Sequence, residues 1–294
     1  MNLNNFFIQL EYREPFNEEE VLYYRHLIQG VETQLGTAVV YLKSAEAKEF
    51  YEERAEYLEY LWDQYDLSSQ LDGVINYNAS SCDEFMDNFY HSGAKVGYEQ
   101  LKRGLAFTPA DEQTLNFIRL NNYGYVKKLN YDVAAEIKKT IFEDIAQGNS
   151  YQKTITKLRE IPKKPLTPLT VKVNPKTGKP YTRTLSPDVR ARMIARTERA
   201  RARNFGTLQS YANYGIEEFD VMTAGDSRVC NTCISIEEGN PYRLSDSRGY
   251  PPFHVNCRCG VAPHIGDVPL SNTPVDFPVS MSEYVDITMS PNRL

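Results

Sequence analysis

The chain has 294 residues, 41% of them apolar, enough for one large domain or two ordinary ones with their own cores. The start, MNLNNFFIQLEYREPF, lacks a basic segment followed by an apolar one, and no run of about eighteen apolar residues follows, so neither a secretion signal nor a membrane partner is expected. A reducing host cytoplasm is the expected place of synthesis.

The net charge of −6 is unevenly laid out. Residues 150–215 hold 15 Lys/Arg against 3 Asp/Glu, while residues 1–149 hold 13 against 25. A basic middle between acidic ends predicts a surface that meets phosphate or an acidic protein. The 21 tyrosines, set against one Trp, suit half-wet helix faces and contacts between subunits.

In chain order, residues 1–160 read as a succession of helices. Asn17 and Glu20 form a capping-box-like start before VLYYRHLIQG, with Gly30 as the stop. Residues 39–66 lack Gly and Pro and repeat apolar positions at helical spacing, and a further helix is expected over Asp83–Arg103. Thr108-Pro109 starts a helix that runs through Asn121. From Asp132, the residues Val133, Ile137, Ile141 and Ile145 make one stripe. Gly148 ends it, and Asn149 or Ser150 caps a short helix carrying Ile155 and Leu158. Residues 161–187, with six prolines, read as an extended Lys/Pro-rich connector with a short hairpin near Asn174–Gly178.

Residues 188–265 read as a module of their own. Its helix carries Arg190, Arg192, Arg196, Arg199, Arg201 and Arg203, which with Lys163 and Lys164 of the connector are the candidate contacts to nucleic acid or to an acidic protein. A solvated basic face is the plainer reading of the same charges. EFDVM then alternates like a strand, and the tail from 266 to 294 reads as irregular, either disordered or an arm that orders on a partner.

The remaining signal is a cysteine cluster. Cys230-x2-Cys233 has the spacing of a metal knuckle, and His254-x2-Cys257-x-Cys259 follows twenty residues on. These five donors exceed the four that tetrahedral zinc takes, and the spacing leaves open which four bind, with His264 an outlying candidate. Two disulfides, or plain buried thiols, are the alternatives; the compartment favours metal. A closed, structural site is the default, stapling loops that have little core of their own. A catalytic ion would need a nearby acid or base, for which Asp226, Glu237 and Glu238 are at hand. Cys82, far along the chain, reads as a small buried hydrophobe.

Three stretches, ARMIARTERARARN, DVMTAGDSRVCNTC and PPFHVNCRC, resemble the signature of the phage Mu F-like, or SPP1 gp7-like, minor head proteins. The strong likeness covers residues 188–263; the helix–Gly–Asn–Ser–helix element at 132–158 matches more loosely, and Phe219 and Val221 stand where the family often has a Trp. The resemblance implies a non-enzymatic virion protein inside the capsid at the portal vertex, acting in head assembly and in DNA packaging and ejection. Its implied partners are the portal protein, capsid or scaffold protein, and viral double-stranded DNA. A metal-dependent nuclease built on the Cys/His module is the alternative. The expected fold is mainly α (α+β): an extended helical N-terminal region, a small Cys/His module stapled by structural zinc, and an irregular tail.

Overall fold

The structure is a computed structural model that describes residues 17–44, 67–105, 107–166, 170–173, 180–183, 185–265, 273–275 and 277; for 170–173 and 180–183 it describes the backbone alone. The fold is mainly α with two small antiparallel sheets. The helices are α1 (Glu18–Leu42), α2 (Leu67–Ser80), α3 (Asp83–Gln100), α4 (Pro109–Ala146), α5 (Tyr151–Leu158), α6 (Pro187–Asn213) and α7 (Asn231–Glu237). The strands are β1 (Thr170–Val173), β2 (Pro180–Arg183), β3 (Glu218–Met222), β4 (Tyr242–Arg243) and β5 (Gly260–Pro263). The first two pair antiparallel, Thr170 opposite Arg183, and the other three form a sheet in the order β4–β3–β5; the turn expected at 174–178 lies outside the described residues. Most of the long helix expected over 39–66 lies outside the described residues.

Local chemistry sets the helix ends. The Glu20 amide donates to Asn17 Oδ1 (2.8 Å) and the Asn17 amide to Glu20 Oε2 (3.3 Å), a reciprocal capping box. Thr108 and Asp111 repeat the device at the start of α4. Gly148, with φ 67°, ends α4: its amide donates to Ile145 and that of Asn149 to Asp144, the paired bonds of a Schellman turn. Gly215 ends α6 in the same way, through Ala212 and Tyr211.

Two helix boundaries differ from the sequence reading. Gly30 does not stop α1, which continues to Leu42. A Cβ on Gly30 would lie 2.3 Å from Asn78 Cγ, so this glycine makes room for a side chain rather than a turn. The helices read as ending at Asn121 and restarting near Asp132 are one 38-residue helix, because Val126 and Leu129 carry the buried stripe through Gly124.

The chain divides into two compact units, each drawn from separate stretches. The first comprises Leu22–Cys82 and Tyr123–Arg192. Its core packs Val31, Leu35 and Leu42 with Leu71, Val133, Ile137 and Leu158. A buried polar chain crosses it: Gln34 Nε2 donates to Asn130 Oδ1 (2.6 Å), and Asn130 Nδ2 donates to Asn78 Oδ1 (2.9 Å). Cys82 is fully buried here with its thiol against the Asn78 carbonyl, in keeping with its reading as a small hydrophobe.

The second unit comprises Met1–Val21, Asp83–Asn122 and Met193–Leu294. Its helices α3 and α6 cross closely. A Cβ on Gly93 would sit 1.9 Å from the Arg203 carbonyl oxygen, and one on Gly206 would sit 2.2 Å from that of Tyr90. Aromatic rings fill the space between α6 and the sheet, with Phe205 meeting Phe117 (5.8 Å) and Tyr250 (5.8 Å). Part of the tail joins this cluster: Phe277 packs on Tyr250 (5.3 Å) and Phe205 (5.9 Å), and the Val275 amide donates to the Ala212 carbonyl. The described part of the tail thus lies on its own chain, because an aromatic side chain supplies the apolar area that the surrounding Pro and Ser lack.

Because the atom facing Gly93 is backbone and cannot swing away, Gly93→Ala should cost about 1–3 kcal/mol, read as a lower melting temperature. Gly124→Ala meets nothing within 4 Å in mid-helix and should be neutral or stabilising by up to about 1 kcal/mol.

Candidate metal centre and the arginine helix

The knuckle sits at the start of α7. Cys230 is its N-cap, and its sulfur accepts a hydrogen bond from the Cys233 amide (3.4 Å). Both sulfurs therefore occupy the first turn, where helix amides favour thiolate. The second half is a tight turn in which the Cys257 amide donates to the His254 carbonyl and Asn256 adopts φ 60°. His254 Nδ1 lies 2.8 Å from the Val255 carbonyl oxygen. A carbonyl only accepts, so Nδ1 carries the proton and the Nε2 lone pair faces the sulfurs.

The structure brings all five sequence-nominated donors together. Cys230, Cys233 and His254 form one cluster and Cys233, Cys257 and Cys259 another, with the donor atoms of each cluster within 4.8 Å of one another and Cys233 common to both. His254 Nε2 lies 3.3 Å from Cys230 Sγ and 3.2 Å from Cys233 Sγ; Cys233 Sγ lies 3.9 Å from Cys257 Sγ. No disulfide joins any of the five cysteines. Tetrahedral zinc with bonds of about 2.0–2.3 Å spaces its ligand atoms by about 3.5–3.8 Å, so the spacings around Cys233 are near those of such an ion, and the donors suit it in softness. His264 instead pairs with Asp220 (2.9 Å).

Within the cluster, the hydrogen bond from Cys233 holds the Cys257 thiol far below its ordinary range, while the same contact pushes Cys233 up. Four sulfurs at this spacing cannot all be charged without a cation among them. A bound ion would take the place of the retained protons, and its affinity would rise with pH.

Three further contacts hold the two halves in place. Asp226 Oδ1 and Oδ2 accept from Arg258 Nη2 (2.7 Å) and Nη1 (2.8 Å), and Oδ2 also accepts from Arg228 Nη2 (2.9 Å). Arg258 lies between two donors and Arg228 just ahead of Cys230, so this clamp ties the segments together across the site. On α6, Thr197 Oγ1 accepts the Asn256 amide (3.1 Å), and Asn204 Nδ2 donates to the Cys259 carbonyl (3.1 Å). The Arg-Thr-Glu run of α6 thereby acquires a purpose: Thr197 fixes the turn, and Glu198 pairs with the fully buried Arg201 (3.0 Å), the i,i+3 partner that helical spacing offers it. Of the candidate acids, Asp226 is held in the arginine clamp and Glu237 accepts from the Thr223 amide and hydroxyl (2.8 Å each), while Glu238 is exposed.

The α6 arginines are not the exposed cationic face that the sequence suggests. Arg190 is 8% exposed and meets Asp132 (2.7 Å); Arg196 is 13% exposed beside Glu20; Arg199 is 15% exposed on Glu19 (2.7 Å). Arg192 pairs with Asp188 (3.1 Å), and Arg203 is partly buried near Glu19. The pairing has a simple cause. Helix α6 is packed on most sides, and a packed helix neutralises its charges locally. Lys164 reaches Glu136 (2.5 Å), while Lys163 is exposed.

Replacing Cys233, the donor common to both clusters, with Ser should destabilise the second unit by at least about 3 kcal/mol, since structural zinc sites supply about ten or more. Hydrogen exchange would show β3 and β5 losing protection while the Val133–Ile145 stripe keeps it. Asp226→Asn should leave every donor in place yet weaken zinc binding about tenfold, measured by competition with a chromophoric chelator.

Residues 135–262 match the model of the family described as "Phage Mu protein F like protein". No curated protein and no solved structure matches the chain. The matched segment takes in the last third of α4, all of α5 and α6, and the five candidate donors. Over these residues, a little under half of the chain, the protein is similar to the phage Mu F-like proteins, in line with the resemblance that its Arg-Thr-Glu helix and Cys/His segments carry.

Proposed function

We propose that the protein is a minor head component of a tailed virus that acts at the portal vertex, inside the capsid, in head assembly and in the packaging and ejection of DNA. The family match carries this reading. In it, the Cys/His centre is a closed structural zinc site and the protein is not an enzyme. The donors are turned toward one another within a small module, and the neighbouring acids Asp226 and Glu237 hold Arg258 and Thr223. The portal protein is the main partner, with capsid or scaffold protein and the viral duplex as further ones. Among the described residues, no helix is long and apolar enough to cross a membrane.

Protein purified under reducing conditions should contain about one zinc per chain by elemental analysis. It should co-sediment with purified portal assemblies and should be missing from heads assembled without portal. Metal-free protein with fully reactive thiols would defeat the zinc reading; incorporation into portal-less heads would defeat the vertex reading.

A further inference from the structure

The positive charge of the chain's middle has two fates. On α6 it is taken up by the chain's own carboxylates, as described above. Between Ser150 and Pro187 the sequence holds nine Lys/Arg against a single acid, Glu160. Helix α5 turns Thr154, Ile155 and Leu158 inward. Lys153, Lys157, Arg159, Lys163 and Lys164 are exposed. Two of these cations have acidic partners, Lys157 with Asp144 and Lys164 with Glu136. Lys153 reaches the neutral Asn149 Oδ1 (2.7 Å), and Arg159 and Lys163 make no ion pair among the described residues.

We infer that this face of the α4–α5 hairpin and the turn after it is where the protein meets the phosphate backbone of duplex DNA. The assignment rests on the head-protein reading and adds the surface to it. Duplex DNA presents one negative charge per about 1.7 Å of its axis, and Lys153 to Arg159 covers about 9 Å of helix at 1.5 Å per residue. Charge alone would suit an acidic protein equally well; the composition of the face decides between them. From Gln152 to Lys164 every exposed side chain is polar or charged. A protein interface needs an apolar or aromatic anchor at its centre, whereas phosphate contacts need only Lys, Arg, Thr and Gln. Phosphate contacts carry no base information, so this binding is independent of base sequence, as contact with a packaged genome requires.

The test uses full-length protein and a short mixed-sequence duplex, titrated between about 50 and about 200 mM salt. The variant K153Q/R159Q/K163Q, all at exposed positions, should keep the wild-type melting temperature. It should bind at least about tenfold more weakly at low salt, with a log–log salt slope shallower by about 0.9 for each phosphate that is no longer neutralised. The control K95Q/R243Q/R248Q removes equal charge from other exposed cations and should bind as wild type. Equal weakening of both variants, or no change in the first, would overturn the assignment while leaving DNA as a partner. Wild-type protein with no affinity for the duplex would overturn both the assignment and the DNA part of the proposed function, but not the portal part, which the co-sedimentation experiment reads separately. Loss of portal binding in K153Q/R159Q/K163Q with duplex binding intact would reassign the face to protein contact.

Discussion

A charged side chain taken out of water must meet an opposite charge, and α6 is built around that requirement. Arg201 is fully buried and survives there because Glu198, three residues earlier, lies against it. Arg190 is nearly buried and meets Asp132. Arg196 and Arg199 face Glu20 and Glu19, the acids of the first turn of α1. Those glutamates also sit at a helix N-terminus, where negative charge is favoured. Removing one partner from such a pair costs more than the pair contributes, because the other charge remains buried. Pairing of this kind selects one arrangement of the helix over others more than it adds net stability.

With α6 fixed, the metal centre has a wall to build on. Its two donor-bearing segments are separated by twenty residues of chain, and three devices bring them together. Strands β3 and β5 pair in register, Val221 opposite Val261, which sets the position of the chain just after Cys259. Thr197 and Asn204, seven residues apart and so on one face of the helix, fasten the turn that carries Asn256 and Cys259. The Asp226 clamp then joins the segment ahead of Cys230 to Arg258. Most of this scaffold is polar, as expected where a small module has too little apolar area to order its loops by burial alone. Hydrogen bonds alone thus bring the five Cys/His side chains into two overlapping clusters that could hold an ion.

The Cys/His cluster was legible in the sequence because its residue types recur at short spacing, and a Cys-x2-Cys turn is local. The helix caps at Asn17, Thr108, Gly148 and Gly215 were legible for the same reason: each is complete within a few residues. What the sequence concealed was long-range. Arg199 and Glu19 are 180 positions apart, so an arginine-rich helix read alone looks like a cationic surface. Gly30 looked like a stop because its neighbour Asn78 is far along the chain, and only contact reveals a glycine kept for close approach. Phe277 looked like part of a tail that buries little, since the rings it joins belong to α6 and to the loop that ends at Tyr250. Periodicity shows which face of a helix is apolar; it does not show whether the polar face meets water or another part of the chain.

That difference changes how the net charge should be weighed. A protein of charge −6 is repelled by a polyanion at long range, and a basic segment of fifteen cations within it would seem to offset this. Once the α6 arginines are matched to their carboxylates, the exposed cations that remain in the described part of that segment are few and lie close together in sequence. Screening at physiological salt has a length of about 8 Å, so the repulsion from distant acids fades while a handful of exposed lysines and arginines at contact distance keeps its attraction. Binding of this kind is weak per site, indifferent to sequence and readily released as salt rises. Such properties would suit the proposed role beside packaged DNA, and they follow from which charges the fold leaves unpaired rather than from how many the chain contains.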